Sequence, residues 1–192
     1  MRKKRFLSGF SVFNIIVIAM CAGLGIAIKP VLVPLVHIIT GPLFIPGGAV
    51  SGGFYMLFIV VAAGLVEKPG TATITCAVQA ILIIITGVIG SHGILSLITY
   101  ILPGIAVDVF YWFIRNRTLS ALSCFIMGLL ANTAGSFLSN VVFFRLPFVP
   151  LMLTLLAGAL SGGLGGLIAY GIIKKLKKFN PALKNTEREY EE

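Results

Sequence analysis

The sequence predicts an all-α integral membrane fold of six transmembrane helices, with an irregular or re-entrant segment forming the first outer loop. Three observations carry this expectation. Of the 192 residues, 58% are hydrophobic and only 11% charged, against about 25% charged in a soluble domain. No Asp, Glu, Lys or Arg occurs from Pro30 to Val66, or from Pro69 to Val107, and a helix needs about 20 apolar residues to cross a bilayer. Basic residues gather at the chain's ends, as RKKR at 2–5 and KKLKK at 174–178. The net charge of +9 therefore reads as attraction to an anionic leaflet. It does not read as nucleic-acid binding, because no basic face interleaves with aromatics.

The spans fall at roughly 9–28, 47–66, 71–90, 93–114, 118–141 and 148–173. The first begins like a signal peptide, but no small-residue cleavage site precedes a soluble domain, so it reads as a retained helix. Residues 30–46 are apolar yet broken by Pro30, Pro34, Pro42 and Pro46. Proline removes a backbone donor and clashes with the preceding turn, which predicts a short helix or re-entrant piece shielded by protein. VEKPGT at 66–71 then reads as a turn, with Pro69-Gly70 supplying the bend and Thr71 or Thr73 available to cap the third helix. In the fourth span Pro103 deprives the Thr99 carbonyl of its usual partner, so a kink is expected beside Tyr100. Residues 1–178 make one transmembrane domain. Residues 179–192, with Glu187, Glu189, Glu191 and Glu192, form a polar tail predicted to be disordered.

Charge sets the orientation. With both termini cytoplasmic, the inner segments hold Arg2, Lys3, Lys4 and Arg5, then Lys68, then Arg115 and Arg117, then the six basic residues from Lys174 to Arg188. The outer segments hold only Lys29 and Arg145. That bias satisfies the positive-inside rule.

Small residues recur at every fourth position in two spans. Ala19, Gly23 and Ala27 share one face of the first, and Gly158, Gly162 and Gly166 one face of the sixth. Such faces let helix backbones approach closely in lipid. Packing within the bundle suffices for the sixth span; the first admits either packing or docking of a partner.

Polar groups inside a membrane are costly and mark candidate sites. Asp108 is the one acidic residue within a span; a neighbouring hydroxyl or Arg satisfies it, or it serves coupling or substrate. Asn132, Ser136 and Asn140 form a stripe along the fifth span, suited to hydrogen bonding between helices or to a heteroaromatic or amide-bearing ligand. Gln79, His92, Tyr100 and Tyr55 lie in the third, fourth and second spans or their outer turns, and His37 in the proline-broken segment. The two histidines do not make a metal site. Arg145 is placed either to clamp an anion or to meet headgroups. Cys21, Cys76 and Cys124 sit singly in apolar runs and read as small buried hydrophobes. No HExxH, GxSxG or P-loop is present. The chain is therefore expected not to be an enzyme, and any uphill transport draws on an ion gradient or another subunit.

These features together resemble a known family. Six short spans, the small-residue face of the first and the irregular first outer loop are similar to the substrate-binding S components of energy-coupling factor (ECF) vitamin transporters. GGFYMLFIVVAAGLVEKPGTATITCAVQAILIIITGVIGSHG at 52–93, with its KPGTA turn and GVIGSHG end, resembles the YkoE-type members, which serve hydroxymethylpyrimidine or thiamine. The likeness spans most of residues 10–175 and implies a vitamin bound in the outer half of the bundle, in a bacterial plasma membrane. It implies partners too: a membrane-embedded T component, docking on Ala19, Gly23 and Ala27, and two cytoplasmic ATPases, with Glu67 and Lys68 as contacts to that module. The expected vitamin site is Gln79, His92, Tyr100, Asn132, Ser136 and Asn140, with no cofactor and no metal. One departure stands out: the resemblance implies an acidic residue early in the third helix, where this chain has Thr75, Cys76 and Gln79. That disfavours cationic thiamine and leaves a neutral pyrimidine or another vitamin, such as cobalamin, open. The rival readings are an ion-coupled carrier resting on Asp108, a membrane scaffold, and an intramembrane enzyme.

Overall fold

A computed structural model describes residues 10–87, 95–114 and 119–179. Among them the chain is wholly helical: α1 (Val12–Thr40), α2 (Gly47–Val66), α3 (Thr71–Thr86), α4 (Leu95–Ile114), α5 (Ala121–Ser139) and α6 (Phe148–Phe179). Five helices are long and apolar enough to cross a membrane, and α3 is a shorter apolar helix. The expected tail beyond Phe179 lies outside the described residues.

The central element is α2. Its most apolar stretch is 78% buried, against 22–33% for the other four spanning helices. Ile59, Val60 and Ala62 are fully enclosed, whereas the other helices turn large side chains such as Ile39, Ile85 and Phe113 outward. Protein surrounds most of α2, with Phe54 the exception at 50% exposure, whereas the other spanning helices each turn a wide apolar face outward.

Around α2, α6 packs on α5 and α2 through glycine. A Cβ at Gly128 would stand 2.1 Å from the Gly162 carbonyl oxygen, and one at Gly165 would stand 2.0 Å from that of Gly53. The Gly158–Gly162–Gly166 face thus packs inside the bundle, as expected, and a second glycine face of α6 meets α2. Hydrogen bonds cross the same seam. Asn132 Nδ2 donates to Ala49 O and to Gly158 O, both at 2.8 Å. Ser161 Oγ accepts from Gly53 N at 3.0 Å and donates to Val50 O.

Two expectations about element ends need correction. The irregular stretch is shorter than predicted: α1 runs unbroken through Pro30 and Pro34 to Thr40, and only a 3-10 turn at Gly41–Leu43 and the bend to Pro46 separate it from α2. Proline's fixed φ is compatible with a helix, so the loss is limited to two hydrogen bonds. Unwinding would leave many more backbone groups without partners in lipid. The start of α2 also braces this extension: a Cβ at Gly47 would lie 2.6 Å from Val33 O and 2.7 Å from His37 N. The second correction concerns α3. Neither Thr71 nor Thr73 caps it. Thr71 Oγ1 donates to Lys68 O at 2.7 Å, and the cap comes from α4. Asp108 Oδ1 accepts from Ala72 N at 3.2 Å, and Oδ2 from Thr73 N at 2.7 Å and Thr73 Oγ1 at 2.6 Å. Asp108 is therefore satisfied by a neighbouring hydroxyl and by the helix N-terminus, where a carboxylate is favoured.

The turn at 67–70 forms as expected. Glu67 ends α2 in the left-handed conformation, with φ 54°, and its carboxylate pairs with Lys177 of α6. Lys68 lies over the ring of Phe10, 5.9 Å from its centroid. In α4 the helix is continuous through Pro103, which packs near Gly135 of α5.

Candidate ligand-binding site

Opposite the Glu67–Lys177 end, the bundle encloses a cavity of about 510 Å³. The end of α1 contributes Lys29, Val33 and His37, and the connection to α2 adds Phe44 and Ile45. Tyr55 and Met56 come from α2, and Thr99 and Tyr100 from α4. The polar stripe of α5 faces inward through Asn132 and Ser136, joined by Ser139 and by Asn140 in the π-helical turn Asn140–Phe144. From α6 comes Thr154. The volume lies in the range of small-molecule sites, and so does the composition, an apolar wall with a few convergent polar groups.

Among the described residues, Lys29 is the one Lys, Arg, Asp or Glu that lines the cavity. Its ammonium donates to Tyr100 Oη and sits over both tyrosine rings, 4.5 Å from the centroid of Tyr100 and 5.3 Å from that of Tyr55. Tyr55 Oη in turn donates to Gly48 O at 2.6 Å. The cation is thus held by cation–π attraction and one hydroxyl. Nearby, His37 Nδ1 accepts from Gly47 N at 3.3 Å, so the neutral ring carries its proton on Nε2.

Of the six residues expected to bind a vitamin, the structure brings Tyr100, Asn132, Ser136 and Asn140 to this cavity. Two of these are also structural. Asn132 spends both amide hydrogens on α2 and α6. Asn140 accepts from Leu146 N through Oδ1 at 2.8 Å, closing the turn after α5. Gln79 is not brought there. It is buried against α1 near Tyr55, where a Cβ on Gly25 would lie 2.3 Å from its Nε2, and among the described residues that nitrogen has no hydrogen-bond partner. Its position on α3 turns it toward α1 and the interior, and no residue of α3 lines the cavity. His92 lies outside the described residues. Arg145 is not part of the lining.

Sequence reasoning missed Lys29. Its signal is present: between Arg5 and Glu67 it is the single charged residue. Pro30 suggested that the helix ended there and that Lys29 belonged to a loop. Because α1 continues, Lys29 is carried on a helix face that points into the bundle.

The small-residue face of α1 behaves differently from that of α6. Ala19 and Ala27 are exposed, and a Cβ on Gly23 would meet nothing within 4 Å. Among the described residues, nothing packs closely on this face at Gly23.

A profile of the family described as "ABC-type cobalt transport system, permease component" matches residues 13–134, more than half of the chain. The chain belongs to this family. No curated protein matches the sequence. Among solved structures, a "Crystal structure of an S-component of ECF transporter" superposes with a TM-score of 0.75 at 17% identity, covering 95% of each chain. The permease-family chain therefore has the S-component fold and is a multi-pass membrane protein of a transport family.

Proposed function

We propose that the chain is the substrate-binding S component of an energy-coupling factor transporter, and that it takes a small organic vitamin or vitamin precursor into the cavity. The observation that carries this reading is the cavity itself, with one cation and several hydroxyl and amide groups set in an apolar wall. The bias of basic residues supports an orientation with both termini and the Glu67–Lys177 end in the cytoplasm. The cavity then faces outward, and the membrane is the bacterial plasma membrane.

The family is described by cobalt transport, but the lining suits an organic molecule better than a bare divalent ion. Such an ion needs several O, N or S ligands. Among the described residues no group of three or more His, Cys, Asp or Glu converges, and Lys29 repels a cation. A heteroaromatic ring of hydroxymethylpyrimidine size fits the volume. Thiamine would bring a fixed positive charge toward Lys29, and a corrinoid would stand mostly outside a cavity of about 510 Å³.

Transport needs partners. The sequence has no phosphate-binding loop, so ATP hydrolysis falls to two ATPase subunits and the motion to a T component. The open Ala19–Gly23–Ala27 face of α1 is the surface proposed to meet the T component, because small residues permit close helix contact. An ion-coupled carrier loses its support, since Asp108 is spent on capping α3. A scaffold would not need the cavity.

Two measurements test the reading. The tagged chain, purified in mild detergent from its native membrane, should bring down a T component and ATPases identified by mass spectrometry. The purified chain alone, titrated by calorimetry with hydroxymethylpyrimidine, thiamine, cobalamin, riboflavin, biotin and cobalt(II), should bind an organic member one-to-one without ATP. Recovery of the chain without coupling subunits, together with binding of cobalt alone, would overturn it.

A further inference from the structure

We infer that the ligand of this cavity carries an anionic group, and that Lys29 is its counter-charge. The inference rests on the S-component reading and adds the ligand's charge class. It begins from a census of acidic residues. The whole chain has six. Glu67 is paired with Lys177 at the opposite end of the bundle. Asp108 is engaged with the N-terminus of α3. The other four, Glu187, Glu189, Glu191 and Glu192, follow the Lys177 end of α6. Among the described residues, no carboxylate lines the cavity.

Lys29 is thus a cation in a largely apolar pocket, met by a tyrosine hydroxyl and two ring faces. Hydroxyl and ring contacts orient an ammonium but do not neutralise it. An ionisable group inside a membrane protein is costly unless it is paired. Among the described residues no carboxylate supplies the compensating charge, and a bound ligand can. The tyrosines fix the ammonium at the wall shared by α1, α2 and α4, leaving the apolar surface of Met56, Ile45 and Phe144 for the rest of the molecule. The fitting chemistry is a compact, mostly apolar or aromatic body with one carboxylate or phosphate. Ser136 of α5 and Asn140 of the π-helical turn, both in the lining, are available for its polar edge.

The test uses pairs of molecules that share a body and differ in charge: nicotinate and nicotinamide, biotin and biotin amide, hydroxymethylpyrimidine phosphate and hydroxymethylpyrimidine. Binding to the full chain in detergent is measured by calorimetry for the wild type, for Lys29→Met, and for Lys29→Arg, which keeps the charge. In at least one pair the anion should bind about tenfold to a hundredfold more tightly than its neutral partner. Lys29→Met should bring the two within about threefold, and Lys29→Arg should keep the anion preference. The wild-type comparison stands even if a variant does not fold. Equal or tighter binding of the neutral partners overturns the inference, as does failure of all three anions to bind, or Lys29→Met holding an anion as tightly as wild type. Tight binding of a neutral partner would leave the S-component reading intact, whereas loss of that reading shows separately as recovery of the chain without coupling subunits.

Discussion

Replacing Asp108 separates a structural carboxylate from a transport one. In the structure its two oxygens take three hydrogen bonds from the first turn of α3, two from backbone N–H groups and one from the Thr73 hydroxyl. Gly70, the residue at the usual capping position, offers no side chain. Asp108→Ala therefore removes the only side-chain cap α3 has among the described residues. Loss of an N-cap costs about 1 kcal/mol and up to about 2. Removing the negative charge from the helix N-terminus adds about 0.3–1 kcal/mol, and the Thr73 bond about 1 kcal/mol more. The sum is about 2–4 kcal/mol. Asp108→Asn keeps one acceptor for Thr73 but turns an amide donor toward Ala72 N, so about 1–2 kcal/mol is expected. The assay is reversible unfolding of the purified chain in mixed detergent–SDS micelles, with uptake measured in parallel in cells. Asp108→Ala within about 0.5 kcal/mol of wild type would refute the capping argument. Asp108→Asn abolishing uptake at unchanged stability would restore a coupling role.

Three further outcomes follow from the packing. Gly128→Ala places a methyl 2.1 Å from the Gly162 carbonyl oxygen, and should destabilise the bundle by about 1–3 kcal/mol in the same unfolding assay. At Gly23 an added Cβ meets no atom of the described residues within 4 Å, so Gly23→Leu should leave stability and ligand binding at wild-type values while co-purification of the T component is lost. Glu67→Ala removes the ion pair with Lys177 and should cost about 1 kcal/mol or less, falling further in high salt. If it instead leaves stability unchanged and prevents assembly with the ATPases, Glu67 acts at the partner interface.

Much of this architecture is legible in the sequence because the bilayer imposes coarse rules. Charge-free runs locate the spans, and four-residue spacing finds both the glycine seam of α6 and the polar stripe of α5. What escapes is set by non-local geometry. Proline at 30 is an end signal in water, yet in lipid the backbone has nowhere else to satisfy its hydrogen bonds, so the helix continues and Lys29 turns inward. The capping of α3 depends on a residue 36 positions away on α4, which no local window contains. Gln79 reads as a ligand contact because it is polar and mid-span; only the rotation of α3 about its axis sends it against α1 instead.

Helix glue and ligand recognition are not alternatives for the stripe of α5. Asn132 and Ser161 tie α2 to α5 and α6 at Ala49, Val50 and Gly53, and Ala49 is also part of the cavity wall. The seam that joins α2, α5 and α6 therefore also forms part of the cavity wall. Side chains there are immobilised before any ligand arrives: Asn132 by two carbonyls, Asn140 by its own turn, Tyr55 by Gly48 and Lys29 by Tyr100. Binding to groups already fixed avoids much of the entropy cost of ordering them. Under the proposed function, that favours tight capture of the ligand by few contacts. It also means that a substitution at Asn132 acts first on helix packing, with any loss of affinity following from the displaced wall. Lys29 and Ser136 are the positions where affinity can change while the seam stays intact.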